Sequence, residues 1–335
     1  MHERSRNTAA GRRGFTLTEL LVVIAIIAIL VALVSVGVMT AMAKAKATRI
    51  KVELDQIDSA MKNFKDKYGA YPPCDLRVGD ATARARLRQF VAMAFPRYDL
   101  TNLQNDIKLA LAPSGDPDPI FRPDQALVFW LRGFSSDPAH PFVTPSNQQI
   151  SGGVATTVKV TLTPLFGFDT ARLAAVKNDG TDVSLTNYLP SYFPSGSPVG
   201  TTGAPYVYWD YRSYPFDPDK AATGYAQPAR YFNSSDPTKG DLVLYTTAGV
   251  LVPYWNNTNG NTIAELPPTE DWANPDSFQL MAAGIDRKYG TTTTTGANEQ
   301  RLYPTGQHYD NSSALADDDN AANFTSAARI GDDKP

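Results

Sequence analysis

The residues best suited to chemistry in this chain lie at a junction near its N-terminal end. Gly14 adjoins Phe15, and one carboxylate, Glu19, stands at the fifth position counted from Phe15. Residues 20–43 then contain no charged side chain, and a helix of about 20 apolar residues is long enough to cross a bilayer. A carboxylate at the edge of such a segment is costly in lipid, which makes Glu19 a candidate functional residue.

Three interpretations of this N-terminal segment are open, and the first two describe common membrane-targeting elements. A cleaved secretory signal is compatible with the Arg12-Arg13 pair and with the Ala-Met-Ala pattern at 41–43, but the apolar run exceeds the roughly 7–15 residues of such signals.

A plain membrane anchor is the second interpretation, and it fits the length of the apolar run. The flanking charges do not orient it, because Lys and Arg are balanced on its two sides: Arg4, Arg6, Arg12 and Arg13 before it, and Lys44, Lys46, Arg49 and Lys51 after it.

The third interpretation, which we favour, rests on a resemblance to a known family. Gly14, Phe15, Glu19 and the apolar run after them resemble the N-terminal signal of type IV pilins and type II secretion pseudopilins. The resemblance implies cleavage of a basic leader (1–14) after Gly14 by a prepilin peptidase, and N-methylation of Phe15. It also implies a single-pass protein of the bacterial inner membrane, with its head outside the cytoplasm, that assembles with other pilin-like subunits on an inner-membrane platform.

The position of Glu19 supports a physical hypothesis about assembly. A carboxylate buried among apolar helices needs a counter-charge, and the new amino group on Phe15 of a neighbouring subunit is one source of it. Removing one member of a buried ion pair costs about 3–5 kcal/mol. We therefore expect Glu19 to set the axial register between subunits.

The helical pattern continues beyond the uncharged segment. Apolar residues recur at helical spacing, in a stripe made of Ile50, Leu54, Ile57, Met61, Phe64 and Tyr68. The charged residues between them predict a solvated face: Lys51, Glu53, Asp55, Asp58, Lys62, Lys65 and Asp66. Gly69 and the Pro72-Pro73 pair end it. The sequence thus predicts a membrane or filament-core helix at 15–43 and an amphipathic continuation at 44–68.

The remaining residues, 69–335, predict a loop-rich head containing several short strands. Helical patterns occupy 81–95, 100–111 and 126–132, and strand patterns occupy 156–163, 206–212, 241–247, 249–254 and 278–283. A long helix followed by short strands indicates an α+β fold in which an antiparallel sheet packs on the amphipathic part of the helix. We interpret 75–205 as an insertion relative to compact pseudopilins.

The head also resembles the major pseudopilin branch in two places, the end of the helix at 63–72 and a strand followed by a Gly-x-Asp turn at 274–286. In that branch a loop binds calcium through acidic residues. The resemblance implies a calcium site formed by Asp286 with Asp317, Asp318 and Asp319, since calcium takes six to eight oxygen ligands. An acidic, solvated tail is the alternative.

Composition and motifs argue against several classes of function. The net charge of −3 gives no basic field for nucleic acid, and one cysteine, Cys74, excludes an intramolecular disulfide. No zinc signature, nucleophile elbow or phosphate-binding loop occurs, so we expect a structural protein and not an enzyme. The expected function is a pseudopilus subunit; the alternatives are a type IV pilin for adhesion, motility or DNA uptake, and a membrane-anchored binding domain that does not polymerise.

Overall fold

The chain has the predicted α+β architecture. The computed structural model describes residues 15–74, 81–112, 122–176, 182–185, 188–200, 202–213, 253–257, 272–290, 301–306, 309 and 317–335. It separates into two compact units, Met1–Lys46 and Ala47–Pro335. The long first helix begins in the first unit, and all described strands belong to the second. The predicted boundaries at 14, 43 and 68, and the insertion at 75–205, remain predictions.

Helix α1 is one uninterrupted element, Leu17–Tyr68. It ends at Tyr68, where Gly69 adopts a positive φ of 89° and donates its N–H to the Lys65 carbonyl at 2.7 Å. The predicted apolar stripe is confirmed, since Leu54, Ile57 and Phe64 are fully buried. In the second unit this stripe forms one hydrophobic cluster with the other helices and the central sheet.

Among the described residues, three shorter helices follow α1: α2 (Ala81–Ala94), α3 (Leu103–Leu111) and α4 (Pro123–Leu131). A short 3-10 turn, Leu100–Asn102, leads directly into α3. Helix α4 is buried along its whole length. Its apolar residues are therefore distributed around the helix and are not confined to one face. Its Trp130 donates to the Pro73 carbonyl at 2.9 Å, and Tyr208 donates to the Pro72 carbonyl at 2.8 Å, so the chain leaving α1 is fixed from two sides.

The described strands form four small sheets. The strands are β1 (Gln148–Ser151), β2 (Val154–Lys159), β3 (Leu173–Val176), β4 (Asp182–Val183), β5 (Ser191–Tyr192), β6 (Val207–Asp210), β7 (Tyr254–Asn257), β8 (Phe278–Ala282), β9 (Arg301–Pro304) and β10 (Ala321–Ala322). The central sheet has the order β10-β8-β6, is antiparallel throughout, and pairs Tyr208 with Leu280. Its strands are fully buried because aromatic and aliphatic side chains occupy both faces.

The sheets differ from the sequence expectation in two places, and a third part of that expectation lies outside the described residues. The pair β7–β9 is parallel, a pairing between distant segments that local alternation does not predict. Strand β2 ends at Lys159, short of the predicted 163, in an exposed hairpin with β1. The predicted strand 241–247 lies outside the described residues, as does most of 249–254, of which Tyr254 begins β7.

The charged face predicted for the amphipathic part of α1 is only partly solvated. Glu53 accepts hydrogen bonds from Tyr192 Oη at 2.9 Å and from Tyr206 Oη at 2.6 Å, and it pairs with Arg172 Nη2 at 2.7 Å. Burial and the nearby Glu53 charge raise the pKa of both tyrosines. The expectation that Glu53 lies in solvent was therefore wrong, because its partners come from segments more than a hundred residues away.

Lys51 and Asp58 also contact the head from α1. Lys51 Nζ donates to the Ala322 and Thr325 carbonyls at 2.9 and 3.1 Å. Asp58 Oδ1 accepts from Asn323 Nδ2 at 2.9 Å. These contacts join the last strand of the central sheet to the helix. Of the seven charges predicted to face solvent, four are exposed as predicted: Asp55, Lys62, Lys65 and Asp66.

Candidate processing and assembly site

The predicted processing junction lies at the start of the described chain. Gly14 is outside the described residues, whereas Phe15 is 81% exposed. Residues 15 and 16 are not helical, and α1 begins at Leu17. Phe15 is therefore accessible in the subunit, as a residue must be if its amino group is to be formed by cleavage and then methylated.

Glu19 closes a hydrogen-bonded ring with Thr16 at the start of α1. Glu19 Oε2 accepts from the Thr16 N–H at 2.8 Å and from Thr16 Oγ1 at 2.9 Å. In return, the Glu19 N–H donates to Thr16 Oγ1 at 3.2 Å. This reciprocal arrangement is a capping box, in which two helix-terminal N–H groups find side-chain partners.

The capping role of Thr16 was missed in the sequence, although a signal for it is present. A Ser or Thr followed three residues later by Glu, just before an apolar run, is the usual sequence mark of a capping box. Thr16 and Glu19 have this spacing. The same carboxylate thus has a structural partner within its own chain besides the predicted partner in a neighbour.

The apolar part of α1 presents hydrophobic side chains in every direction. Residues 15–35 and 37–42 are all exposed, among them Leu33 at 70% and Met39 at 72%. The helix is long and apolar enough to cross a membrane. In the described part of the first unit, no other element packs against this apolar segment.

Comparison with known proteins gives one match, and it falls on this segment. Residues 10–35 match the prokaryotic N-terminal methylation motif. The chain therefore carries a type IV pilin-like signal, whose processing enzyme is a prepilin peptidase. Together with the apolar helix, the motif indicates anchoring in the inner membrane. No curated protein and no solved structure matches the chain.

The four aspartates predicted to bind calcium lie in two neighbouring segments of the head, but their surroundings differ. Asp317 is buried and pairs with Arg301 Nε at 2.8 Å. Asp318 pairs with Lys334 Nζ. Each of these two carboxylates is therefore already paired with a positively charged side chain.

Asp319 and Asp286 form the remaining pair. The Asp286 N–H donates to Asp319 Oδ2 at 2.9 Å. Burial raises the pKa of Asp319 to about 7, backbone N–H groups of Asp286 and Ile285 oppose the rise, and the Asp286 charge adds to it. Two acidic groups this close favour a shared proton or a bound cation.

Two further observations bear on whether a cation fits here. Within the part of the chain that the structure describes, Asp319 Oδ1 and Asn320 Oδ1 are buried without a hydrogen-bond partner, and buried oxygens of this kind are expected ligands for calcium. Among the residues that the structure describes, however, no group of three or more His, Cys, Asp or Glu side chains is arranged to hold a metal. The oxygen donors thus fit calcium in type, and the calcium site remains a prediction.

Proposed function

We propose that this chain is a structural subunit of a type II secretion pseudopilus or a related type IV pilus-like filament. The observation that carries the proposal is the coincidence, within residues 10–35, of the methylation motif with Glu19 at the start of a fully exposed apolar helix. In this proposal prepilin peptidase cleaves after Gly14 and Phe15 is N-methylated. The chain needs no catalytic site of its own.

The proposed mechanism is assembly through α1. In the membrane the apolar part of the helix is covered by lipid, and in the filament it is covered by the same helix of other subunits. Such a filament repeats one heterologous contact without closure. The heads then form the outer layer, and minor subunits and an inner-membrane platform complete the machine.

The amino terminus of the mature protein tests the processing step. We expect intact-mass and N-terminal peptide analysis of membrane-purified protein to show a chain that starts at a methylated Phe15. A start at Lys44 would instead indicate an exported, signal-cleaved protein. A start at Met1, in cells with an active prepilin peptidase, would contradict the proposal outright.

Crosslinking between subunits tests the assembly step separately. With photo-crosslinkers at Phe15 and near Glu19, a filament subunit gives ladders of crosslinked copies, whereas a membrane-anchored binding domain gives monomers.

A type IV pilin remains the alternative filament. Because Cys74 is the only cysteine in the sequence, the chain cannot form the C-terminal disulfide loop of many pilins, which favours the pseudopilus. Loss of secretion rather than of motility in a deletion strain would distinguish the two.

We also propose that calcium binds at Asp319 and Asp286, with Asn320 as a further ligand. A bound cation would replace the shared proton and give the orphaned oxygens of Asp319 and Asn320 a partner. We expect calcium to raise the melting temperature of the full chain in detergent by several degrees. Asp319→Asn should remove that rise, whereas Asp276→Asn, at an exposed position, should keep it.

Absence of calcium binding by calorimetry, together with equal melting temperatures in calcium and in chelator, would reject this site. Magnesium serves as the control ion, because its stricter octahedral geometry and tightly held waters make a carboxylate-amide cage a poor host for it. An equal response to both ions would indicate general charge screening and would also reject the site.

A further inference from the structure

The last residues of the chain lie against the segment that carries the proposed calcium ligands. The Ile330 N–H donates to the Asn320 carbonyl at 2.7 Å, and Ile330 itself is fully buried. The Gly331 N–H donates to the Asp318 carbonyl at 2.8 Å. The end of the chain, residues 330–335, which we call the C-terminal tail, is therefore bonded to the backbone of this segment at two points.

A second set of contacts joins the C-terminal tail to β9 and to the residues after it. Tyr303 Oη donates to Asp333 Oδ2 at 2.9 Å. The same carboxylate oxygen accepts from the Ser326 N–H at 3.0 Å. The side chain of Lys334 lies directly against Gly306. The position of Lys334 is thus set by contacts on both sides of the tail.

Lys334 brings a positive charge to the segment before the tail. Its Nζ atom forms an ion pair with Asp318 Oδ1 and lies 5.0 Å from the centre of the Tyr309 ring. The two charged side chains are 29% and 31% exposed. Among the described residues, Asp318 Oδ1 makes no hydrogen bond, so the contact with the lysine is one of charge alone. Partly exposed pairs of this kind contribute little to stability, and a competing cation can therefore replace the lysine.

The two residues after Asp318 supply oxygens that need a partner. Within the described residues, Asp319 Oδ1 and Asn320 Oδ1 are buried without a hydrogen bond. Calcium takes six to eight oxygen ligands, and the side chains of Asp286, Asp319 and Asn320 hold fewer oxygens than that between them. The carboxylate of Asp318 is the neighbouring source of another. Because calcium carries two charges, it attracts this carboxylate more strongly than one ammonium group does.

We propose that Lys334 is a built-in competitor of calcium at this site. Without calcium, the ammonium group of Lys334 holds the Asp318 carboxylate. When calcium binds to the orphaned oxygens beside it, Asp318 becomes a further ligand and Lys334 is released into solvent. The inference rests on the proposed calcium site, and it adds a residue that sets the affinity of that site.

A purely structural role for Lys334 predicts the opposite effect on calcium affinity. If the lysine only held the C-terminal tail in place, its loss would loosen the segment and weaken calcium binding. Under competition, its loss frees a carboxylate and strengthens calcium binding. The sign of the change therefore distinguishes the two roles.

Titration calorimetry of the full chain in detergent, with calcium chloride as the probe, measures that sign. We expect Lys334→Gln to lower the dissociation constant about fivefold or more, because the charge available to the ion increases. Lys334→Arg keeps the positive charge and should bind calcium no more tightly than the parent. Lys288→Gln, at an exposed lysine two residues after Asp286, should change the constant less than about twofold, since exposed charges are screened by salt.

Chemical labelling tests the release of Lys334 without any substitution, so it remains decisive if Lys334→Gln does not fold. The parent chain is acetylated briefly with an N-hydroxysuccinimide ester, and mass spectrometry measures the modified fraction of each lysine. We expect Lys334 to react about twofold faster or more in calcium than in chelator, because calcium shifts the population toward the released side chain. Lys288 should react equally in both.

The outcomes separate this inference from the calcium site itself. If the parent binds calcium and Lys334→Gln binds it equally or more weakly, the competition is wrong and the site stands. An equal gain in Lys288→Gln would assign the effect to net charge and would also reject the competition, as would equal labelling of Lys334 in calcium and in chelator. No calcium binding by either the parent or Lys334→Gln would overturn both proposals.

Discussion

At the scale of single residues, Glu19 has one observed role, as a helix cap, and one proposed role, as a partner in assembly. Its Oε2 atom caps the helix through Thr16, while a carboxylate has acceptor capacity beyond two hydrogen bonds. The same side chain can therefore keep its cap while it pairs with the Phe15 amine of a neighbour. The cap holds the acid in one place at the membrane edge, which reduces the conformational freedom lost on pairing.

Three variants distinguish capping from pairing. Glu19→Val removes both roles, Glu19→Gln keeps an acceptor for the cap but loses the charge, and Thr16→Val loses the hydroxyl cap but keeps the charge. We expect both Glu19 variants to lower filament yield more than tenfold, because each leaves the neighbouring amine without a buried counter-charge. Thr16→Val should cost about 1 kcal/mol of helix stability and reduce the yield less, and Thr16→Ser should restore it.

Filament yield is measured by shearing and immunoblot, and processing is followed in the same samples by N-terminal mass. Correct processing with normal assembly of Glu19→Val would contradict a role for this acid in register. Normal assembly of Glu19→Gln alone would assign its role to the cap and not to the charge.

At the scale of elements, Glu53 and its three partners, Arg172, Tyr192 and Tyr206, form a network that we call the Glu53 network. It joins α1 to the β4-β3-β5 sheet and to the central sheet. Arg172 precedes β3, Tyr192 lies in β5 and Tyr206 precedes β6, and all three side chains reach Glu53. The Arg172 guanidinium also lies over the Tyr192 ring, 4.3 Å from its centroid. Because this carboxylate and Arg172 are both largely shielded from water, their hydrogen bonds are worth more than those of a surface pair.

We expect Glu53→Gln to lower the free energy of unfolding by about 1–3 kcal/mol, since it removes the charge from three hydrogen bonds. Asp55→Asn is the matched control on the same helix. Asp55 is exposed and pairs with Lys51 at 3.1 Å, and such surface pairs contribute about 0–1 kcal/mol. Chemical denaturation of the full chain in detergent, followed by tryptophan fluorescence, measures both. Equal effects of the two substitutions would show that the Glu53 network adds nothing beyond a surface pair.

The helices and strands also show which structural features local sequence patterns can predict. The spacing of Leu54, Ile57 and Phe64 predicted α1, and the aromatic run at 206–212 predicted β6. The environment of Glu53 was not predictable, because charge spacing along a helix does not reveal a tyrosine or an arginine contributed by a distant strand. The capping box of Thr16 and Glu19 was predictable, since both of its members lie within one turn.

At the scale of the whole molecule, the two units differ in how much of their structure the sequence predicts. In the second unit, the buried ion pair of Arg122 and Asp124 and the central sheet show a head held together by packing and polar contacts without a disulfide. The central sheet and the β7–β9 pair join segments that are far apart in the chain, which local periodicity does not encode. The first unit is the opposite case, because composition alone predicts a long apolar helix.

The exposure of residues 15–35 and 37–42 on every side of α1 has a consequence for where polymer growth can occur. Each large aliphatic side chain moved from oil into water costs about 1.5–3 kcal/mol, so a subunit detached from both lipid and its neighbours would be strongly disfavoured. Transfer from one apolar environment to the other must then be direct. In the proposed filament, growth is accordingly expected only at the base, where it touches the bilayer, because the distal end cannot recruit subunits from the surrounding water.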